Sequence, residues 1–66
     1  MQIGYSEETL KSNISKQFDE IESEYKWMLY YYNQKDWDCV EDCARNIQDS
    51  LVAILENTDH LKGEFL

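Results

Sequence analysis

Apolar residues recur along this chain with one period. In the first half they fall at Leu10, Ile14, Phe18, Ile21, Tyr25, Met28 and Tyr32, in steps of 4, 4, 3, 4, 3 and 4. Steps of three and four place side chains on one stripe of an α-helix. In the second half they fall at Trp37, Val40, Ala44, Ile47, Leu51, Ile54 and Leu61, with Thr58 at the position the pattern reserves between the last two. That is a heptad pattern sustained to the end of the chain.

The ends of both stripes carry stop and start signals. Ser6 suits an N-cap, Glu7 and Glu8 lie in the positive first turn, and Tyr5 with Leu10 is spaced for a hydrophobic staple. The segment Asn33-Gln34-Lys35-Asp36 is the polar break between the halves. Asp36 or Asp38 can cap the second helix, and Asp38 with Glu41 resembles a capping box. Gly63 after Lys62 is a good residue just beyond a helix end. The pairs Glu7–Lys11, Glu22–Lys26 and Glu41–Arg45 stand four apart with the acid first, the favourable order. The pattern therefore predicts an all-α fold. A helix over about 6–33, a turn at about 34–35 and a helix over about 36–62 make one antiparallel hairpin domain spanning 1–66.

Each helix is then roughly 40 Å long at the ordinary rise per residue. Two helices share one seam and enclose no core. A chain of 66 residues has little interior to spare. The expected answer is dimerisation into a four-helix bundle, or an obligate partner of another kind. Two cysteines are too few for a disulfide scaffold, no apolar run is long enough to span a bilayer, and no leader pattern opens the sequence. These features predict a cytoplasmic protein with reduced thiols.

Charge narrows the partners. Fourteen acidic and six basic residues give −8 at pH 7 and a pI of about 4.3. Direct binding of nucleic acid or of an anionic membrane is not expected of such a chain, since both depend on basic residues. Nine aromatic residues set it apart from a disordered acidic tail.

Most of those aromatics cluster before the turn. Counting about 100° per residue, Trp27 and Tyr30 fall opposite the first stripe, and Tyr31 falls at its flank. A surface helix gains nothing from Trp and Tyr away from its own partner unless they meet something else, and Trp and Tyr dominate interface hot spots. Trp27, Tyr30 and Tyr31 are therefore candidate anchors. Glu20 and Glu24, on the same row, are a charged rim suited to a partner patch of Arg or Lys. The competing reading makes this face the self-dimer seam.

On the second helix Asp38, Asp42, Asp49 and Glu56 form an acidic ladder away from the stripe, with Arg45 interrupting it. Such a row is ordinarily a solvated face. Its sharper reading is mimicry of a nucleic-acid backbone, which would block the basic groove of a DNA- or RNA-binding protein. Cys39 and Cys43, one turn apart, lack the further ligands a metal needs, and His60 is too distant along the helix to supply one. Glu56 and His60 are half of a metal site at most. No phosphate loop, nucleophile elbow or zincin motif is present, so neither an enzyme nor a bound cofactor or metal is expected. No motif names a family. The favoured reading is a small acidic adaptor, chaperone or inhibitor that occludes a partner protein's surface. Nucleic-acid mimicry and a purely structural bundle subunit are the alternatives.

Overall fold

The computed structural model of the chain describes residues 6–63, which form two α-helices joined by a tight turn. Helix α1 spans Glu7–Asn33 and helix α2 spans Trp37–Lys62. Both bounds agree with the spacing of the apolar stripes to within a residue. Tyr5, expected to staple the first turn, lies outside the described residues.

The caps explain those bounds. Ser6 has extended backbone, and its Oγ accepts a hydrogen bond from the Thr9 amide at 3.1 Å, which fixes the start of α1. Of the two candidate caps for α2, Asp36 takes the role: its Oδ1 accepts from the Cys39 amide at 3.3 Å. Gly63 closes α2 in the left-handed region at φ 74°, where its missing Cβ removes the steric penalty.

The turn is a Schellman motif followed at once by a new cap. The Lys35 amide donates to the Tyr32 carbonyl, and the Asp36 amide donates to the Tyr31 carbonyl, both at 3.0 Å. This leaves Lys35 at φ 59°, a conformation that glycine usually takes. So short a connection forces α2 back along α1 as an antiparallel neighbour. The described residues extend over 52 × 18 × 16 Å, a rod one helix pair thick.

The seam between the helices is turned by one heptad row from the apolar stripes. On α1 it consists of Leu10, Ile14, Gln17, Ile21, Glu24, Met28 and Tyr31, of which Leu10 is 4% exposed and the rest are half-buried. On α2 it consists of Val40, Cys43, Ile47, Ser50, Ile54 and Asn57, with Cys43 at 6% and Ser50 also buried. The stripes place Phe18, Tyr25 and Tyr32 on one side of this seam and Trp37, Ala44 and Leu51 on the other. All six are exposed instead, Phe18, Tyr32 and Trp37 each at 58%.

The physical reason is rotation. Stripe and seam share the rows Ile14–Ile21–Met28 and Val40–Ile47–Ile54, but the seam takes its second row from Leu10–Gln17–Glu24–Tyr31 and Cys43–Ser50–Asn57 rather than from Phe18–Tyr25–Tyr32 and Trp37–Ala44–Leu51. The rows that go inside carry small residues, Cys43 and Ser50, together with polar groups that bond across. Asn13 Nδ2 donates to Asn57 Oδ1 at 3.2 Å, and Asn57 Nδ2 donates back along its own helix to the Ala53 carbonyl at 2.7 Å. Asn46 Nδ2 donates to Glu24 Oε1 at 3.3 Å. The part-buried Asn13–Asn57 bond favours this register, since those amides lose their partners if the helices slide, and the exposed Asn46–Glu24 bond agrees with it. Two of the three anticipated i, i+4 ion pairs close, Arg45–Glu41 at 2.8 Å and Lys11–Glu7 at 3.5 Å. Both are exposed and add little to stability.

The Lys35 backbone gives a direct test of the turn. Lys35→Gly relieves the left-handed strain and is expected to raise the unfolding free energy by up to ~1 kcal/mol, whereas Lys35→Val lowers it by a similar amount. Denaturant midpoints at fixed protein concentration measure both. A glycine variant less stable than the parent would contradict this account of the turn.

Candidate functional site

Two different surfaces flank the seam. On one side, Trp27, Tyr30 and Tyr31 form a mutual cluster of three rings. Trp27 and Tyr31 are stacked, with centroids 5.9 Å apart and planes at 26°. Tyr30 meets both edge-on, at 5.9 Å from Trp27 and 5.4 Å from Tyr31. Helix geometry brings this about, because residues one, three and four apart before the turn crowd three large rings onto little more than one turn of α1. Trp27 and Tyr30 remain more than half exposed, while Tyr31 is half-buried at the edge of the seam. The rings brace one another, so the cluster is a preorganised apolar platform that loses little side-chain freedom when it is covered.

The two acidic residues expected to frame this platform have different surroundings. Glu20 is exposed. Glu24 is half-buried, and its carboxylate turns into the seam to accept from Asn46 and from the Cys43 thiol. Glu24 thus ties the platform's base to α2, and Glu20 is the freer charge at its edge.

Behind the platform lies a group whose members the sequence leaves separate. The two thiols, Tyr31, Glu24, Asp36 and Asp42 come together around the first turns of α2. Asp36 accepts a hydrogen bond from the Cys39 thiol and so favours its protonated form, and this pushes Cys39 up to about 11, with loss of hydration and the charge of Asp42 acting the same way. Burial pushes the Cys43 thiol up, and Glu24 adds to it. Tyr31 is also raised, first by loss of hydration and then by the nearby thiols and Asp36. Every such shift keeps the groups neutral at pH 7. Thiols held protonated are weak nucleophiles and weak metal ligands, so this cluster is built for packing rather than for reaction. Both cysteines are free. No three His, Cys, Asp or Glu side chains among the described residues gather as a metal-binding group. The signal that could have revealed the cluster is the second heptad row, Cys43, Ser50 and Asn57, which is polar or small and therefore invisible to an apolar count.

The acidic ladder runs along the exposed side of α2. Asp38, Asp42, Asp49 and Glu56 are all exposed on α2. Arg45 is engaged by Glu41 and does not neutralise the row. Seven-residue steps separate most of its members by ~10 Å along the axis, about three times the rise between successive phosphates of one DNA strand. No helix among the described residues is long and apolar enough to cross a membrane.

On the other side of the seam lies a surface that the apolar pattern assigns to the interior. Tyr32 and Trp37 meet edge-on across the turn at 5.8 Å. The register set by Asn13–Asn57 and Glu24–Asn46 then places Tyr25 level with Ala44 and Phe18 level with Leu51. Comparison with known proteins finds no match to this chain among family models, curated proteins or solved structures.

The thiol environment makes a pH prediction. Because the Cys39 value is raised to about 11, its thiolate, and hence its alkylation rate, keeps rising well above the pH at which an ordinary thiol levels off. Asp36→Asn preserves the N-cap but removes the charge that holds the proton. Its expected effect is faster iodoacetamide labelling of Cys39 at pH 8, by up to about a hundredfold if the whole shift disappears. Peptide-resolved mass spectrometry reads the rates. Equal labelling of Cys39 in both proteins would refute the proposed role of Asp36.

Proposed function

We propose that this protein is a small acidic protein-binding module of the cytoplasm, which acts as an adaptor, chaperone or inhibitor by covering a partner's surface. In this reading two hairpins pair into a four-helix bundle, and the bundle docks through Trp27, Tyr30 and Tyr31. The observation that carries the reading is the three-ring platform: its rings are fixed by contact with one another, yet Trp27 and Tyr30 are 54% and 52% exposed. Exposed aromatic clusters of this kind are uncommon on surfaces that meet only water.

The platform's chemistry describes its partner. The stacked faces of Trp27 and Tyr31 suit a planar guanidinium, and Glu20 at the edge supplies an opposing charge. A net charge of −8 draws basic surfaces in from a distance. The partner is therefore a protein with an apolar patch bordered by Arg or Lys. The ladder reading, in which Asp38, Asp42, Asp49 and Glu56 imitate a nucleic-acid backbone, receives less support from the spacing of those carboxylates. It is the alternative outcome of a capture experiment.

That experiment compares three baits in quantitative capture from source-cell lysate: the parent, Trp27→Ala with Tyr30→Ala, and Asp42→Asn with Asp49→Asn. All four positions are exposed, so helicity should be unchanged, which circular dichroism checks. The aromatic variant is expected to lose a partner that the acidic variant retains. Against that purified partner, Trp27→Ala alone should weaken binding by ~2 kcal/mol or more, roughly thirtyfold. Retention by the aromatic variant with loss by the acidic one would favour mimicry and overturn the platform.

A further inference from the structure

We propose that a second copy of this chain covers the face made by Phe18, Tyr25, Tyr32, Trp37, Ala44 and Leu51, so that two hairpins stack face to face and their Trp27 platforms point outward on opposite sides. The inference takes the pairing of hairpins from the functional reading and assigns it to one face. That assignment leaves the platform free in the dimer.

Area favours this face. Four aromatic side chains on it, each of ~150–250 Å², are left more than half exposed, and Leu51 adjoins them at 48%. Together with neighbouring aliphatic side chains this face offers on the order of 600–800 Å² of apolar surface, close to the ~800 Å² per partner of a stable interface. Inside the hairpin the balance is reversed: Leu10 and Cys43 are the buried apolar residues among those described. So thin a core does not hold a short chain together unaided, and the missing burial is available on this face.

Charge selects the occupant. Each chain carries −8, so two copies repel wherever their acidic residues meet. Along the rows Phe18–Tyr25–Tyr32 and Trp37–Ala44–Leu51 every position is uncharged. The opposite side, around Trp27, carries Glu20, Glu24 and Asp42. Pairing through the platform would press those carboxylates together, whereas pairing through the uncharged face keeps them apart. An uncharged face also gives no handle by which this acidic chain could select a basic partner. A self-complementary apolar patch is what a two-fold dimer requires. Ala44 is a small residue level with Tyr25 in the register, the large-and-small pairing that facing helices interlock. The assembled dimer then presents two platforms and can bridge two partner molecules.

Ala44→Glu provides the test. Ala44 is exposed in the hairpin, and both residue types favour helix, so the substitution removes no contact inside the hairpin and places a charge in the centre of the proposed seam; any loss of helicity then follows from loss of the second copy. Light-scattering mass at micromolar concentration is expected to give two chains for the parent and for Trp27→Ala, and one chain for Ala44→Glu. Single-tryptophan variants supply a readout that does not depend on breaking the dimer. In Trp27→Phe the remaining Trp37 should be shielded from acrylamide, and in Trp37→Phe the remaining Trp27 should be quenched freely. A one-chain or larger-than-two-chain parent would overturn the proposal. So would a dimeric Ala44→Glu beside a monomeric Trp27→Ala, or the reverse order of quenching. Partner capture by the Trp27→Ala, Tyr30→Ala bait reports on the platform alone, so failure of either idea is read separately.

Discussion

The constraint behind this structure is that one seam between two antiparallel helices has to organise the whole chain. Each helix offers that seam two adjacent heptad rows. In this protein one row is apolar and the other mixed: Ile21 and Met28 lie beside Leu10, Gln17 and Glu24 on α1, and Ile47 and Ile54 beside Cys43, Ser50 and Asn57 on α2. Small and polar residues let the helices come close and fix their register. They also reduce the apolar surface that the seam can bury. Phe18, Tyr25, Tyr32, Trp37 and Leu51 are left on one flank, whereas helix periodicity alone puts Trp27 and Tyr30 on the other.

The two flanks differ because the helices segregate charge. Glu20, Glu24, Asp36 and Asp42 gather on the side of Trp27 and Tyr31, where loss of hydration together with Glu24, Asp36 and Asp42 keeps the thiols and the phenol protonated. The other side keeps only uncharged residues along its central rows. A chain with a large negative charge can meet a copy of itself through the second side and a basic protein through the first. In the proposed reading, location of charge distinguishes the two surfaces and their separate partners.

The fold is largely legible in the residues. Spacings of three and four, Ser6 and Asp36 as caps, and Gly63 as a stop place both helices to within a residue, because caps and periodicity are local properties. The seam is legible only in part. A count of apolar positions merges two rows into one stripe and puts Phe18, Tyr25, Tyr32, Trp37, Ala44 and Leu51 inside. The seam keeps one row of each stripe and exchanges the other for Leu10–Gln17–Glu24–Tyr31 and Cys43–Ser50–Asn57, whose small and polar members a hydropathy pattern does not register. The Trp27, Tyr30 and Tyr31 cluster is visible from helix periodicity, since three large rings away from the stripe need no tertiary information. The inward turn of Glu24 is not, because it depends on Asn46 from the other helix.

If the hairpin depends on a second copy for its missing burial, folding and association are one equilibrium. The most direct measurement is the thermal midpoint of helicity, by circular dichroism, across a wide range of protein concentration. Mass action predicts that the midpoint rises steadily with concentration, with a single cooperative transition throughout. A midpoint independent of concentration, with full helicity at the lowest dilution, would show that the single seam suffices and would contradict a hairpin that needs its own copy to fold.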